Sequence, residues 1–162
     1  MTLYLLDANV LIRAHADYYP IDRIKPFWLW LLEMAEANLI KIPKEIYDEV
    51  AESADLLGQW LRRPEVKDAV ILGERTDITA VQDVISRRYA VDLTDVEIVK
   101  VGADPFLVAA ANGHSDRIVV TREVARPNAQ RANRKLPDVC ATFRVQCITD
   151  FELWRLLNFR IQ

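Results

Sequence analysis

Four acidic residues, Asp7, Glu49, Asp104 and Glu123, stand where they could do chemistry together. Asp7 ends the apolar run Leu3–Leu6, and Glu123 follows the apolar run 118–121. Glu49 lies about one turn into the helix expected after a second apolar run, and Asp104 opens another helix. A single carboxylate binds a divalent cation poorly, whereas three or four bind it well. Gathered in one cleft, such carboxylates repel one another and hold raised pKa values unless something positive sits among them. Mg²⁺ or Mn²⁺ meets that need, with hard oxygen ligands and room for water and a phosphate oxygen. A cation so held lowers the pKa of its water and neutralises charge developing on a phosphodiester. Two ions about 4 Å apart stabilise both the attacking and the leaving oxygen. Helix capping is the competing role for Asp7, because Val10-Leu11-Ile12 begins a helical pattern directly after it.

Convergence of these acids requires an α/β layout. The runs at 3–6, 39–42, 118–121 and 145–148 read as short strands buried on both faces. Between them, 10–16, 27–37, 43–51, 54–63, 76–89, 104–113, 137–143 and 150–159 read as helices. Pro26 and Pro43 suit helix first turns. Asp104 at the N-cap, Pro105 at N1 and Gly113 past the end frame one helix completely. Segments 66–72 and 94–101 are compatible with strand or helix. Alternating strands and helices imply a three-layer α/β/α domain over 1–162, with a central parallel sheet and right-handed crossovers. In such sheets ligand sites form beyond the carboxyl ends of the strands, where all four acids are expected.

Composition excludes several classes. The chain has 162 residues, 51% hydrophobic and 28% charged, with a net charge of −3. That is an ordinary globular mixture of one-domain size. The longest wholly apolar stretch, about 27–32, is far short of the roughly 20 residues that span a bilayer. No basic region precedes the first apolar run, so no signal peptide is expected, and the expected location is cytoplasmic. Cys140 and Cys147 are too few for a disulfide framework and match no zinc spacing, even with His15 and His114. Buried free thiols are expected for both cysteines, and surface or capping roles for both histidines. Trp28, Trp30, Trp60 and Trp154 lie in apolar helical stretches and are expected in the core or an interface, not as base-stacking platforms.

Taken in order, the pieces resemble the PIN-domain family of metal-dependent ribonucleases, which includes the VapC-like toxins. They are Leu5-Leu6-Asp7-Ala8-Asn9-Val10-Leu11-Ile12, Ile42-Pro43-Lys44-Glu45-Ile46-Tyr47-Asp48-Glu49-Val50, Ala103-Asp104-Pro105-Phe106-Leu107-Val108-Ala109-Ala110-Ala111 and Val119-Val120-Thr121-Arg122-Glu123. Tyr18-Tyr19-Pro20 and Pro137-Asp138-Val139-Cys140 resemble one branch of the family. The resemblance implies a PIN-like, Rossmann-like fold and endoribonuclease activity. It implies Asp7, Glu49 and Asp104 as catalytic acids and metal ligands, and Asn9 and Thr121 as residues that orient them. Glu49 is preferred over Glu45, Asp48 and Glu52 because it matches the family's acid followed by an apolar residue. Where the family carries Asp or Asn after Thr-Arg, this chain has Glu123. The fourth metal ligand is therefore Glu123 or Asp138, the latter being equally suited to capping the helix after the basic loop.

That loop, 122–136, carries Arg122, Arg126, Arg131, Arg134 and Lys135 against one acid, Glu123. Beside a metal cleft it is expected to bind RNA phosphates. A solvated loop is the simpler alternative. The resemblance further implies an RNA substrate, a homodimer and an antitoxin partner, as in the toxin half of a type II toxin–antitoxin pair. A catalytically silent PIN fold that binds RNA or protein is the alternative. A phosphotransfer domain with Asp7 as nucleophile lacks both a Gly-rich phosphate loop and an Asp two residues on.

Overall fold

In the computed structural model, which describes residues 1–162, Leu3–Leu6 (β1) is the first strand and lies inside the sheet. Ile40–Lys41 (β2) pairs on one side of it and Arg117–Val120 (β3) on the other, with Gln146–Ile148 (β4) beyond β3. All pairings are parallel, and the order is β2-β1-β3-β4. Leu5, Leu6, Val119 and Val120 are fully buried, as expected for strands covered on both faces. The register sets Leu6 opposite Val120. Asp7 and Thr121 therefore leave the sheet side by side, at the point where the chain's direction of winding reverses.

Ten helices complete the three-layer α/β/α fold. Five precede the short extended segment 71–77: Ala8–Arg13 (α1), Lys25–Glu36 (α2), Lys44–Ala51 (α3), Leu56–Leu61 (α4) and Pro64–Val70 (α5). Five follow: Ile78–Val84 (α6), Asp95–Val101 (α7), Asp104–Ala111 (α8), Leu136–Thr142 (α9) and Asp150–Leu156 (α10). α1 and α6 each run on into a π-helical turn, at Ala14–Tyr18 and Ile85–Tyr89. Helix α8 packs on β1, β3, α3 and α6, so its first residue is held against the sheet edge. No helix is long and apolar enough to cross a membrane.

Both ambiguous segments resolve mainly as helix. Segment 94–101 is α7, started by a capping box. The Glu97 amide donates to Thr94 Oγ1 at 3.2 Å, and the Thr94 amide donates to Glu97 Oε1 at 3.2 Å. Pro64 at the first turn makes 64–70 helical, and the chain then extends so that Ile71 bridges Ile42 in parallel. The loop at 122–136 is irregular apart from a 3₁₀ turn at Arg131–Asn133. Asp104 differs from its expected place. Ala103 is the N-cap and Asp104 the first helical residue, so its carboxylate is not used in capping.

The apolar core extends through an aromatic cluster. Phe27 stacks on Tyr19 at 4.4 Å and meets the edges of Trp28, Trp154 and Phe159. Trp28, Trp60 and Trp154 are buried and Trp30 half-buried, in keeping with packing roles. Cys140 and Cys147 are free thiols, the first buried and the second half-buried. His15 Nδ1 accepts from the Ile21 amide at 3.2 Å, a turn-capping role. Leu107 is fully buried on α8 beneath the acids. Leu107→Ala should cost about 2–5 kcal/mol of unfolding free energy, measured by urea denaturation, because the helix is wedged between sheet and neighbours and cannot collapse into the void.

Candidate functional site

Asp7 is only 4% exposed, and although it precedes α1 its side chain makes no helix-capping bond. Instead Thr121 Oγ1 donates to Asp7 Oδ2 at 2.8 Å. The Thr121 hydroxyl, itself 1% exposed, accepts from Asn9 Nδ2 at 3.3 Å and from the Glu123 amide at 3.1 Å. Asn9 Oδ1 accepts from the Arg122 amide at 3.0 Å. Asn9 and Thr121 thus clamp the ends of β1 and β3 together and fix the Asp7 carboxylate between them.

Glu49 arrives from α3. Its Oε1 accepts from the Ala103 amide at 2.9 Å, which ties it to the residue just before Asp104. Gly102 makes this approach possible. Its φ is +58°, and a Cβ built there would lie 2.9 Å from Glu49 Oε1. Neighbouring candidates point elsewhere: Glu45 accepts from Thr76 Oγ1, and Asp48 pairs with Lys44 at 2.7 Å. Of Glu45, Asp48 and Glu49, only Glu49 bonds the residue beside Asp104.

The electrostatics bind the group together. Burial, then repulsion from Asp7, Glu123 and Glu49, pushes the Asp104 carboxyl up to about 8, with Lys135 opposing. No hydrogen bond is among the influences on it. Burial also raises Asp7 to about 6, against the Thr121 hydrogen bond, with Glu123 and Glu49 adding repulsion. Glu49 is raised chiefly by burial, against the Ala103 amide. Four carboxylates from four separate stretches of chain therefore share one electrostatic neighbourhood.

Glu123 acts on Asp7 and Asp104, whereas Asp138 is engaged with the basic loop. Asp138 Oδ2 accepts from the Arg126 amide at 2.7 Å, pinning the basic loop to the start of α9. Glu123 Oε2 accepts from the Leu136 amide at 2.6 Å. Repulsion from Glu123 is among the largest influences on both Asp7 and Asp104.

The basic loop is less free than its composition suggests. Arg122 donates to Asp150 Oδ1 at 2.9 Å and to the Tyr18 hydroxyl at 2.8 Å, and lies 5.4 and 5.0 Å from the Tyr18 and Phe151 ring centres. Asp150 is 1% exposed, so Arg122 balances a buried charge and locks α10 to the sheet edge. Arg131 pairs with Asp92 and Glu97. Arg122 is committed to a buried carboxylate and Arg131 is paired at the surface, its side chain 41% exposed, and the phosphate-binding expectation centres on Arg126, Arg134 and Lys135. Of these, Lys135 acts directly on Asp104.

Whether these residues suit a divalent cation follows from the donor set. All four are oxygen donors, Asp104 has no protein donor to offset its charge, and Glu49 and Glu123 are oriented by backbone amides. That chemistry fits Mg²⁺ or Mn²⁺. No three His, Cys, Asp or Glu side chains are already drawn into a closed coordination sphere, so binding would require the acids to move inward.

Fold and site define an α/β/α protein with an acidic cluster at the switch point of a parallel sheet. The chain belongs to the family described as a domain of unknown function, DUF4411, whose model matches residues 4–161. No curated protein and no solved structure matches it.

Sequence reasoning missed Gly102 and Asp150. The unfavourable φ at Gly102 leaves no trace but the glycine itself. The Thr149-x-x-Glu152 capping box that opens α10 was a legible signal placing Asp150 in its first turn.

A carboxyl whose folded pKa is raised favours the folded state while protonated. That contribution is lost as pH climbs from the unfolded value near 4 through about 6 for Asp7 and about 8 for Asp104. With divalent ions chelated, Asp104→Asn should therefore melt higher than wild type at pH 8.5, by ~2–4 °C for each 1 kcal/mol relieved, and show little gain at pH 4. Gly102→Ala should destabilise by about 1–2 kcal/mol from its φ alone, read as a fall in melting temperature, and should displace Glu49 from the Ala103 amide in a crystal structure.

Proposed function

We propose that this protein is a Mg²⁺- or Mn²⁺-dependent endoribonuclease of the PIN-domain kind, hydrolysing RNA phosphodiester bonds. Asp7, Glu49 and Asp104 hold the cation, and Glu123 is the fourth acid. The observation that carries this reading is the Asp104 carboxylate, pressed against Asp7, Glu123 and Glu49 without a hydrogen-bond donor of its own. Such an arrangement is costly unless a cation enters it. A divalent ion bound there would supply an activated water at neutral pH and neutralise charge on the phosphate.

The protein's own residues do the positioning. Thr121 holds Asp7 in one rotamer, the Ala103 amide aims Glu49, and Asn9 keeps the two strand ends in register. Lys135 and Arg126 would hold phosphates flanking the scissile one, giving affinity without sequence preference. The biological setting we propose, a cytoplasmic homodimeric toxin restrained by an antitoxin, rests on the resemblance alone.

A second reading, a catalytically silent PIN fold that binds RNA or protein, has its own support. One Glu123 oxygen is already occupied by the Leu136 amide, and the acids form no ready coordination sphere. Melting with Mn²⁺ separates the two: an intact site gains stability with rising Mn²⁺ by mass action, and a silent module does not. On the leading reading, Asp7→Asn and Asp104→Asn each lower RNA cleavage at least roughly 100-fold without lowering the melting temperature measured in chelator. Unchanged cleavage by purified Asp104→Asn protein would remove that residue from the mechanism.

A further inference from the structure

Beside the acidic cluster lies a cavity of about 260 Å³ that the metal-site reading leaves unused. It opens beyond the carboxyl ends of β3 and β4, where Val120 stands opposite Ile148, and it shares Thr121 and Glu123 with the acid site. Crevices at that place in parallel sheets are where ligands seat. Four of its lining residues are apolar, Val124, Ala125, Pro137 and Ile148. Val124 is 81% exposed, so nothing in the fold covers this wall. The polar part of the lining is one-sided. It contains two carboxylates, Glu123 and Glu152, and no lysine, arginine, histidine, asparagine or glutamine. Thr121 already donates its hydroxyl to Asp7. Glu152 stands in the first turn of α10, where its Oε1 accepts from the Thr149 hydroxyl at 3.1 Å and the Thr149 amide at 3.4 Å. Its Oε2 makes no hydrogen bond, so the carboxylate keeps lone pairs for a ligand. The cavity thus combines an apolar wall with side-chain acceptors.

Such a lining repels a phosphate and suits a flat, neutral group that donates hydrogen bonds. An RNA base is that kind of group, and single-stranded bases are read on their Watson–Crick edges. Guanine presents two adjacent donors there, N1–H and the exocyclic amine, which match a carboxylate. Adenine and cytosine set one amino group beside an acceptor, and uracil sets one N–H between two acceptors. We propose that this cavity is a base pocket for guanine, the Glu152 carboxylate accepting from its N1–H and amine while the ring lies on the apolar wall. The inference rests on the ribonuclease reading above for its substrate. It adds a contact that depends on RNA sequence, which phosphate contacts do not supply.

The binding test uses nucleosides, which carry no phosphate and need no cation. The full chain, labelled with ¹⁵N, is titrated in chelator with guanosine, adenosine, cytidine and uridine, and with methylguanidinium as a stand-in for a partner protein's arginine. Guanosine should shift the Val124, Ala125 and Thr149 amide resonances with roughly millimolar affinity. It should bind at least roughly 10-fold more tightly than uridine, because uridine leaves the acceptor unpaired. Glu152→Gln keeps an oxygen for the Thr149 cap, since a capping box takes either residue, and so should fold as wild type does. It sets an amide donor against the donors of the base and should abolish the preference for guanosine. Equal binding of guanosine and uridine, no shift at these amides, tighter binding of methylguanidinium than of guanosine, or an unchanged preference in Glu152→Gln would each overturn the assignment. Cleavage of a mixed-sequence RNA in Mg²⁺ separates this failure from that of the ribonuclease reading. Cleavage without nucleoside binding removes the pocket and keeps the nuclease. Glu152-dependent guanosine binding without cleavage keeps the pocket and removes the nuclease.

Discussion

Repulsion between the carboxylates of Asp7 and Asp104, drawn to one end of a buried parallel sheet, is the constraint to which the surrounding structure answers. Asp7 is buried and Asp104 half-buried, so ionising one raises the cost of ionising the other. Much nearby local structure holds the acids where they are. The Asn9–Thr121 clamp joins the ends of β1 and β3, the Ala103 amide anchors Glu49, and the Leu136 amide anchors Glu123. None of these bonds neutralises the acids; they orient them. A cluster kept oriented and under-compensated is a candidate for function on physical grounds.

The layered fold was legible in the sequence because its signals are local and redundant. Short apolar runs at 3–6 and 118–121 gave strands within one residue of their bounds, and Pro105 and Gly113 marked the helix that begins at Asp104. The same holds for Asp7 and Asp104, since strand-end and helix-start positions can be read from hydrophobic pattern alone. Segment 94–101 was ambiguous by periodicity although its Thr94-x-x-Glu97 box decides the matter. Ile71 could not be assigned because its one bridge to Ile42 depends on a partner distant in sequence.

What stayed hidden was pairing. From composition, Arg122 and Arg131 are indistinguishable from Arg126, Arg134 and Lys135, because nothing local announces that Asp150, Asp92 and Glu97 will meet them. Glu123 and Asp138 were likewise evenly matched as sequence, and separate only once the fold sets Glu123 near Asp7 and Asp104.

The internal commitment of two arginines bears on how the loop would meet a polyanion. Arg122 and Arg131 exchange their counterions for protein carboxylates when the chain folds, so they have none left to release on contact with RNA. Three cations at most remain to drive association by ion release. Binding to a single strand would then weaken with roughly the second power of salt concentration, where five free cations would give an exponent of about three to four. Contact with RNA through this loop would accordingly persist at ionic strengths that dissociate proteins relying on a fully available basic arm.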